Sequence, residues 1–229
     1  MNKKMKKTVL VVDDEQPMCE KLQRRFLYCN QMADCPYEFA IDVAQSAAEC
    51  IQKVRARTAD GVVLPYDVIV LDIRMEKEMS GLEASLMLAQ ELGQEIPVRI
   101  IFTGHKPSIE QCIKAMRHGT WDYIAKEDTG DIPAAQLVVN SALARLQELD
   151  LRRKQKQQIA ADWLPQHLWE LQPEYGGKLV ALWHQPEGQP EVTVIASGAD
   201  AFELEEHLQG WRKQHAAWEQ PFIVRIPLT

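Results

Sequence analysis

The stretch Thr-Val-Leu-Val-Val-Asp-Asp-Glu (8–15) decides how the first half of this 229-residue chain folds. Four consecutive apolar residues, three of them valine, are too few for a helix. They are apolar on both faces, as in a strand covered by helices on each side. Two carboxylates follow at once. Working outward, β-like runs recur at Glu38–Val43, Tyr66–Ile73, Val98–Thr103 and Asp122–Ala125. Helical patterns separate them, and such alternation predicts an α/β domain with a five-stranded parallel, doubly wound sheet.

The helices mark their own starts. Ser46–Glu49, Ser80–Glu83 and Ser108–Gln111 read as capping boxes, in which the Ser caps an orphan N–H and the third residue on reaches back. Met18, Leu22 and Phe26 predict an apolar stripe on the first helix. Ile109, Cys112, Ile113 and Met116 predict another, laid against the sheet. A fifth helix, capped by Asp131 with Pro133 in its first turn, closes the domain. Its 3-4 spacing (Val139, Ala142, Leu146, Leu149) runs on into Arg152-Arg-Lys-Gln-Lys-Gln-Gln158, which has no apolar position. Two heptads are too few for a coiled coil, so this reads as a solvated helical linker.

From Trp163 a second unit begins. Gly177–His184 and Glu191–Ala196 read as strands around a Pro-Glu-Gly turn. A helix opens at Asp200 with Ala201, Leu204, Leu208, Trp211, His215 and Trp218 on one face, and Pro221–Pro227 reads as a last strand. The expected architecture is therefore an α/β core over 1–130, its last helix extending as a linker over 131–160, and a small β-β-α-β domain over 161–229. About 65 residues make a marginal core.

Composition agrees with two pieces. All five Cys and all eight Met lie before residue 117, and five of six Trp lie between 163 and 218. Five cysteines without CxxC spacing point to free thiols serving as small hydrophobes in the cytoplasm. No run approaches the ~18 apolar residues of a membrane span, and Thr8–Val12 is too short for a signal-peptide core. Net charge is −7. Residues 151–158 carry four basic groups and no acidic ones; residues 159–229 carry four basic and ten acidic. An acidic tail without a helix-turn-helix pattern argues against nucleic acid as its target.

Chemistry gathers where an open α/β sheet binds ligands, at the carboxyl ends of the strands. Asp13 and Asp14 end the first strand, Asp72 the third, Thr103 the fourth and Lys126 the fifth. Converging carboxylates call for a hard cation, and Mg²⁺, with its oxygen preference and retained waters, suits them. A hydroxyl and an ammonium beside that cation make a pocket for a phosphoryl group. In the second unit His167, His184, His207 and His215 are scattered, and no metal cluster or nucleophile–base pair shows.

The stretches Val-Leu-Val-Val-Asp-Asp-Glu (9–15), Val-Ile-Val-Leu-Asp-Ile-Arg-Met (68–75), Ile-Ile-Phe-Thr-Gly (100–104) and Asp-Tyr-Ile-Ala-Lys (122–126) resemble the receiver domains of two-component response regulators, over about residues 7–148. The resemblance implies a flavodoxin-like fold and a phosphoacceptor, Asp72, attacking a phosphohistidine on a sensor histidine kinase. It implies Mg²⁺ held by Asp13, Asp14, Asp72 and the backbone carbonyl of Arg74, with Thr103 and Lys126 gripping the phosphoryl group. Tyr123 takes the switch position and turns inward as Thr103 shifts. A further expectation is that Arg74 and His105, two residues beyond Asp72 and Thr103, flank the route of an attacking water and tune dephosphorylation. Two departures stand out: Glu76 replaces the family's Pro in a loop longer by one, with Gly81 nine positions after Asp72, and Glu127 replaces the Pro after the lysine. The last 60 residues faintly resemble a small uncharacterised domain family that carries no activity across.

The leading expectation is a cytoplasmic signalling protein, not an enzyme beyond autodephosphorylation. Its phosphorylation would switch protein–protein contacts of the C-terminal unit with an unknown downstream protein; Trp163 and Trp169 could anchor such docking. It has no membrane insertion, and a homodimer stays open. Alternatives are a transcription regulator with an atypical DNA-binding output, an enzyme using the C-terminal unit, and a constitutive adaptor that is never phosphorylated.

Overall fold

A computed structural model describes residues 3–59, 65–75, 80–92, 98–103, 109–126, 133–184, 192–212 and 220–228. The chain divides into two compact units, Met1–Leu146 and Gln147–Thr229.

In the first unit, β1 (Met5–Val12), β2 (Tyr37–Ala44), β3 (Val68–Asp72), β4 (Val98–Thr103) and β5 (Asp122–Ala125) alternate with α1 (Gln16–Gln31), α2 (Ala47–Ala59), α3 (Gly81–Leu92), α4 (Ile109–Arg117) and the start of α5 (Ala134–Tyr175). The sheet is parallel throughout, in the order β2-β1-β3-β4-β5. This is the flavodoxin-like arrangement. The chain winds outward from β1 to β2, then crosses back to β3 on the other side of β1. The crevice at that reversal opens between the ends of β1 and β3, which carry Asp13 and Asp72. Val9–Val12 and Val68–Leu71 are at most 1% exposed, as the unbroken apolar runs require.

The capping boxes take two forms. At α3 the box is reciprocal: Ser80 N–H donates to Glu83 (2.8 Å) and Glu83 N–H to Ser80 Oγ (3.3 Å). At α2 the Glu49 N–H bonds Ser46 Oγ (3.1 Å), but the Glu49 carboxylate accepts from Gln45 N–H (2.9 Å), one residue further back. Ser108 and Asp131 lie outside the described residues. On α1 the buried stripe is Cys19, Leu22, Phe26 and Cys29, one position round from Met18, which is only half-buried. Cysteine does here what a small hydrophobe would; all five thiols are free and four are buried. Burial pushes Cys19 and Cys29 up to about 11 and Cys50 up to about 12.

The stripe on α4 does not face the sheet. Ile109, Ile113 and Met116 are 79%, 46% and 51% exposed, and the residue turned inward is Ala115. Periodicity shows that one face is apolar, and says nothing of what covers it. The small Ala115 lets the helix sit close to the core cluster of Leu82, Ala84 and Leu88, and the large side chains point away.

In the second unit, β6 (Leu179–His184), β7 (Val192–Gly198), α6 (Ala201–Arg212) and β8 (Phe222–Arg225) follow in order. They form an antiparallel sheet ordered β7-β6-β8, with β6 central. Helix α5 does not end near residue 160 but runs 42 residues to Tyr175, through Trp163 and Trp169. Its C-terminal half supplies a core layer that the small domain lacks alone. Val180, Leu182, Val192 and Ile226 pack with Ala160 and Leu171 on one face of the sheet, backed by Trp163, Leu164 and Leu168. Ala181 and Ala196 pack with Leu204 and Leu208 of α6 on the other. Successive residues of β6 thus serve opposite layers, as strand geometry demands. Pro165 and Pro173 both lie on the exposed side of α5, where a lost N–H costs least. Trp183 is buried and meets the half-buried Trp211 edge-on at 4.9 Å. His215 and Trp218 lie outside the described residues.

Candidate functional site

Each element delivers its side chain for a local reason. β1 ends at Val12, and the Asp13 carboxylate accepts the Glu15 N–H (3.0 Å), turning the chain into α1. Cys19 Sγ, from the first turns of α1, donates to the Asp13 carbonyl at 3.3 Å. In the same way the Asp72 carboxylate accepts the Arg74 N–H at 3.3 Å. Lys126 follows β5 and reaches past β4, its ammonium 6.0 Å from the centre of the Phe102 ring.

These residues converge. Lys126 Nζ lies 2.7 Å from Asp72 Oδ2 and 2.8 Å from Asp13 Oδ2. Asp13 and Asp72 are buried, at 1% and 4% exposure, and Asp14 is half-buried. One carboxylate oxygen from each of the three Asp falls within 4.8 Å of the others. Burial raises the carboxyls of Asp13 and Asp72 above the usual range, against the lowering pull of Lys126. Burial pulls Lys126 down, but its bonds to the two carboxylates outweigh this and raise it. The ammonium is thus firmly charged. Among the described residues, three carboxylates against one ammonium leave a formal −2, which a divalent cation cancels. Octahedral Mg²⁺ sets its ligand oxygens roughly 3 Å apart when adjacent and about 4.2 Å apart when opposite. The donor set therefore fits Mg²⁺ after a small inward movement.

Of the other predicted residues, Thr103 ends β4 beside the cluster, and its side chain is outside the described set. His105 and Glu76–Glu78 also lie outside the described residues. The Arg74 side chain is exposed. Tyr123 is already turned inward, packed against the core cluster of Leu71, Leu82 and Ala115. Its hydroxyl is buried without a partner among the described residues, and burial pushes it up to about 12, with the charges of Cys112 and Asp72 adding to this.

Two contacts were not readable from the sequence, although Gly81 itself was noted there. Gly81 opens α3 directly against the phosphoacceptor candidate's backbone: a Cβ there would stand 1.8 Å from the Asp72 carbonyl oxygen. The reason it must be glycine is contact between chain segments, which no local pattern encodes. Arg99 is fully buried on β4, donating to the Ser85 carbonyl and Oγ on α3 and to the His118 carbonyl just past α4. Burial pulls it down to about 10. A charged residue in a central strand was the available signal, since lone Arg is almost never fully buried without partners.

A parallel sheet of this order, with an acidic cluster and Lys126 at its carboxyl edge, defines a flavodoxin-like α/β domain. Residues 9–136 match the response regulator receiver domain, and the chain belongs to that family, the phosphoryl-accepting module of two-component systems. A curated relative, the regulatory protein LuxO of Vibrio cholerae, is 26% identical over 114 residues, which are 50% of this chain and 22% of that protein. The chain thus spans about a fifth of the curated relative it matches. The signal receiver domain of an HD domain-containing protein from Pseudomonas fluorescens Pf-5 aligns at 18% identity and a TM-score of 0.46, over 64% of this chain and 97% of that one. The receiver domain of the histidine kinase CKI1 from Arabidopsis thaliana, complexed with Mg²⁺ and BeF₃⁻, aligns at 22% identity and a TM-score of 0.42, over 62% and 89%. Among the described residues, no helix is long and apolar enough to cross a membrane.

Proposed function

We propose that this protein is a Mg²⁺-dependent response regulator that takes a phosphoryl group from a sensor histidine kinase onto Asp72 and signals by protein contact through its C-terminal unit. The observation that carries this reading is the single ammonium of Lys126 held between two buried carboxylates, Asp72 and Asp13, with Asp14 beside them. An Asp72 carboxylate oxygen attacks phosphorus in line, the P–N bond to the donor histidine breaks, and the imidazole leaves and regains a proton from water. A carboxylate is a weak nucleophile, so positioning and charge neutralisation do most of the work. Asp13, Asp14, Asp72 and the Arg74 carbonyl would hold Mg²⁺, which supplies charge to neutralise the transferring oxygens. Lys126 is placed to leave its carboxylates for a phosphoryl oxygen, and Thr103, at the end of β4, to donate its hydroxyl. The acyl phosphate carries about −1.5 to −2 where the carboxylate carried −1; its oxygens then draw on β4 and α4, against which Tyr123 packs, and bias a two-state element.

The C-terminal unit carries ten of the chain's acidic residues against four basic ones over 159–229, which favours a protein target over DNA. Outside autodephosphorylation we assign the protein no enzymatic activity, and we place it in the cytoplasm. The test is intact mass after incubation with acetyl phosphate and Mg²⁺. Wild type should gain one phosphoryl mass, lost on adding EDTA beforehand and absent in Asp72→Ala. An unmodified wild type, or an adduct that persists in Asp72→Ala, refutes the assignment.

A further inference from the structure

Between Gln147 and Tyr175, helix α5 packs one side on the small sheet through Ala160, Trp163, Leu164, Leu168 and Leu171. The other side is exposed. Of the large apolar residues left exposed on this stretch, Ile159 (37%) lies on its flank and two lie opposite the sheet: Leu151, 57% exposed, and Trp169, 70% exposed. They are eighteen positions apart, about five turns of 3.6 residues, so they share one face at a separation of roughly 27 Å. Pro165 and Pro173, four positions to either side of Trp169, are exposed on that face and widen the patch around the indole.

Charge is divided along the same length. Residues 147–158 carry four basic groups against Glu148 and Asp150, which pair with Arg152 and Arg153, and are net +2, whereas 159–175 carry Asp162, Glu170 and Glu174 and no Lys or Arg, net −3. A helix with an apolar anchor at a basic end and another at an acidic end complements itself only when reversed. A parallel pairing would set basic against basic; an antiparallel one sets each end against its opposite. Arg152 and Glu170, each one residue past an anchor, fall on the same edge of such a pair and about 3 Å apart along its axis, which a long Arg side chain spans.

We propose that α5 pairs antiparallel with α5 of a second copy of this chain, about a two-fold axis near residue 160, with Leu151 of each copy on Trp169 of the other and Arg152 opposite Glu170. Such a contact is isologous and closed, as homodimers are. Arg152 at present pairs with Glu148 at 2.5 Å on the exposed surface, a bond worth about 0–1 kcal/mol, so exchanging it costs little. The indole contacts carry affinity, and the charges set orientation. With two anchors and no continuous apolar seam, the association is micromolar or weaker.

The test uses the full-length chain without Mg²⁺ or phosphoryl donor, by sedimentation velocity across the micromolar range. The mean mass should rise from 26.2 kDa toward twice that value, and the dimer should weaken as salt is raised. Trp169→Ser, at an exposed position that the fold does not use, should weaken it at least tenfold. Arg152→Glu and Glu170→Arg should each weaken it severalfold, and combining them should restore wild-type affinity within about threefold. A chain that stays monomeric, a dimer indifferent to Trp169→Ser, or a charge swap that fails to restore pairing overturns the proposal. None of these outcomes bears on Asp72, so this proposal and the phosphoacceptor reading fail separately.

Discussion

Replacing Asp14 by Asn tests the electrostatics of the acidic cluster, because it should move stability in opposite directions with and without metal. The three carboxylate oxygens lie within 4.8 Å of one another. At that distance two unit charges repel by about 0.9 kcal/mol in bulk water and about 3.5 kcal/mol at an effective dielectric of 20. Asp14 is half-buried and faces two neighbours, so the lower figure applies twice, less its attraction to Lys126. Metal-free Asp14→Asn should therefore be more stable by about 1 kcal/mol, which raises Tm by roughly 2–4 °C for a domain of this size. With Mg²⁺ the order reverses. Wild type gains about 2.7 kcal/mol at a hundredfold excess over Kd, whereas the variant has lost one of three charged ligands and gains less than half of that. Thermal unfolding of the full chain in EDTA and in Mg²⁺ measures both arms. A variant that melts lower than wild type in EDTA, or that shows an undiminished Mg²⁺ shift, would refute the account of three mutually repelling ligands.

Gly81→Ala should destabilise the first unit by about 1–3 kcal/mol and reduce acetyl phosphate labelling, because its Cβ would stand 1.8 Å from the Asp72 carbonyl oxygen; wild-type labelling at wild-type Tm would contradict this. At Arg99, Met keeps the length of the side chain and removes a charge whose burial is costly, so urea unfolding should show a loss smaller than that of Arg99→Ala by about 2 kcal/mol. Equal losses would mean that the guanidinium bonds to Ser85 and His118 dominate over its packing. The raised carboxyls of Asp13 and Asp72 favour the fold while protonated. That contribution is present in acid and is lost as pH rises from their ordinary 3.8 through their higher folded values, so their part of the metal-free stability declines over that window. Mg²⁺ needs both groups ionised, so its affinity, followed by calorimetric titration, should fall on acidification at a higher pH than for ordinary carboxylates.

The receiver half was legible because its signals are local and redundant. Val9–Val12 and Val68–Leu71 could only be strands buried on both faces, and each was followed by an Asp where the winding of such a sheet leaves a crevice. Strand ends moved by a few residues, as at β1, which begins at Met5 rather than Thr8, since pairing with β2 extends the ladder beyond the apolar run. The same kind of evidence misplaced the α4 stripe, because Ile109, Ile113 and Met116 satisfy the helical period equally well facing in or out. Gly81 and Arg99 were illegible for a related reason. Their constraints come from the Asp72 carbonyl, Ser85 and His118, which are neighbours in space and not in pattern.

The second unit follows from that same limit. Read alone, a β-β-α-β segment of about 65 residues has one helix for a sheet with two faces, and its central strand is apolar on both. The central strand was itself the clue that a second layer exists. Val180 and Leu182 point one way and Ala181 the other, and no residue after 177 offers a second apolar helix. The missing layer lies upstream, in the stretch whose Arg and Lys marked it as a linker. Beyond Gln158 that stretch regains a 3-4 spacing in Ala160, Leu164, Leu168 and Leu171, and these are the residues in contact with the sheet. The same helix places Val138, Val139, Ala142 and Leu146 in buried positions of the first unit. One helix therefore contributes core residues to both units; from Leu151 to Ile159 it supplies none to either core, and Lys156 there lies over the Trp183 ring at 4.4 Å. The antiparallel contact inferred above uses Leu151 and Trp169, both exposed on the side of the helix away from the sheet, so it competes with no core packing.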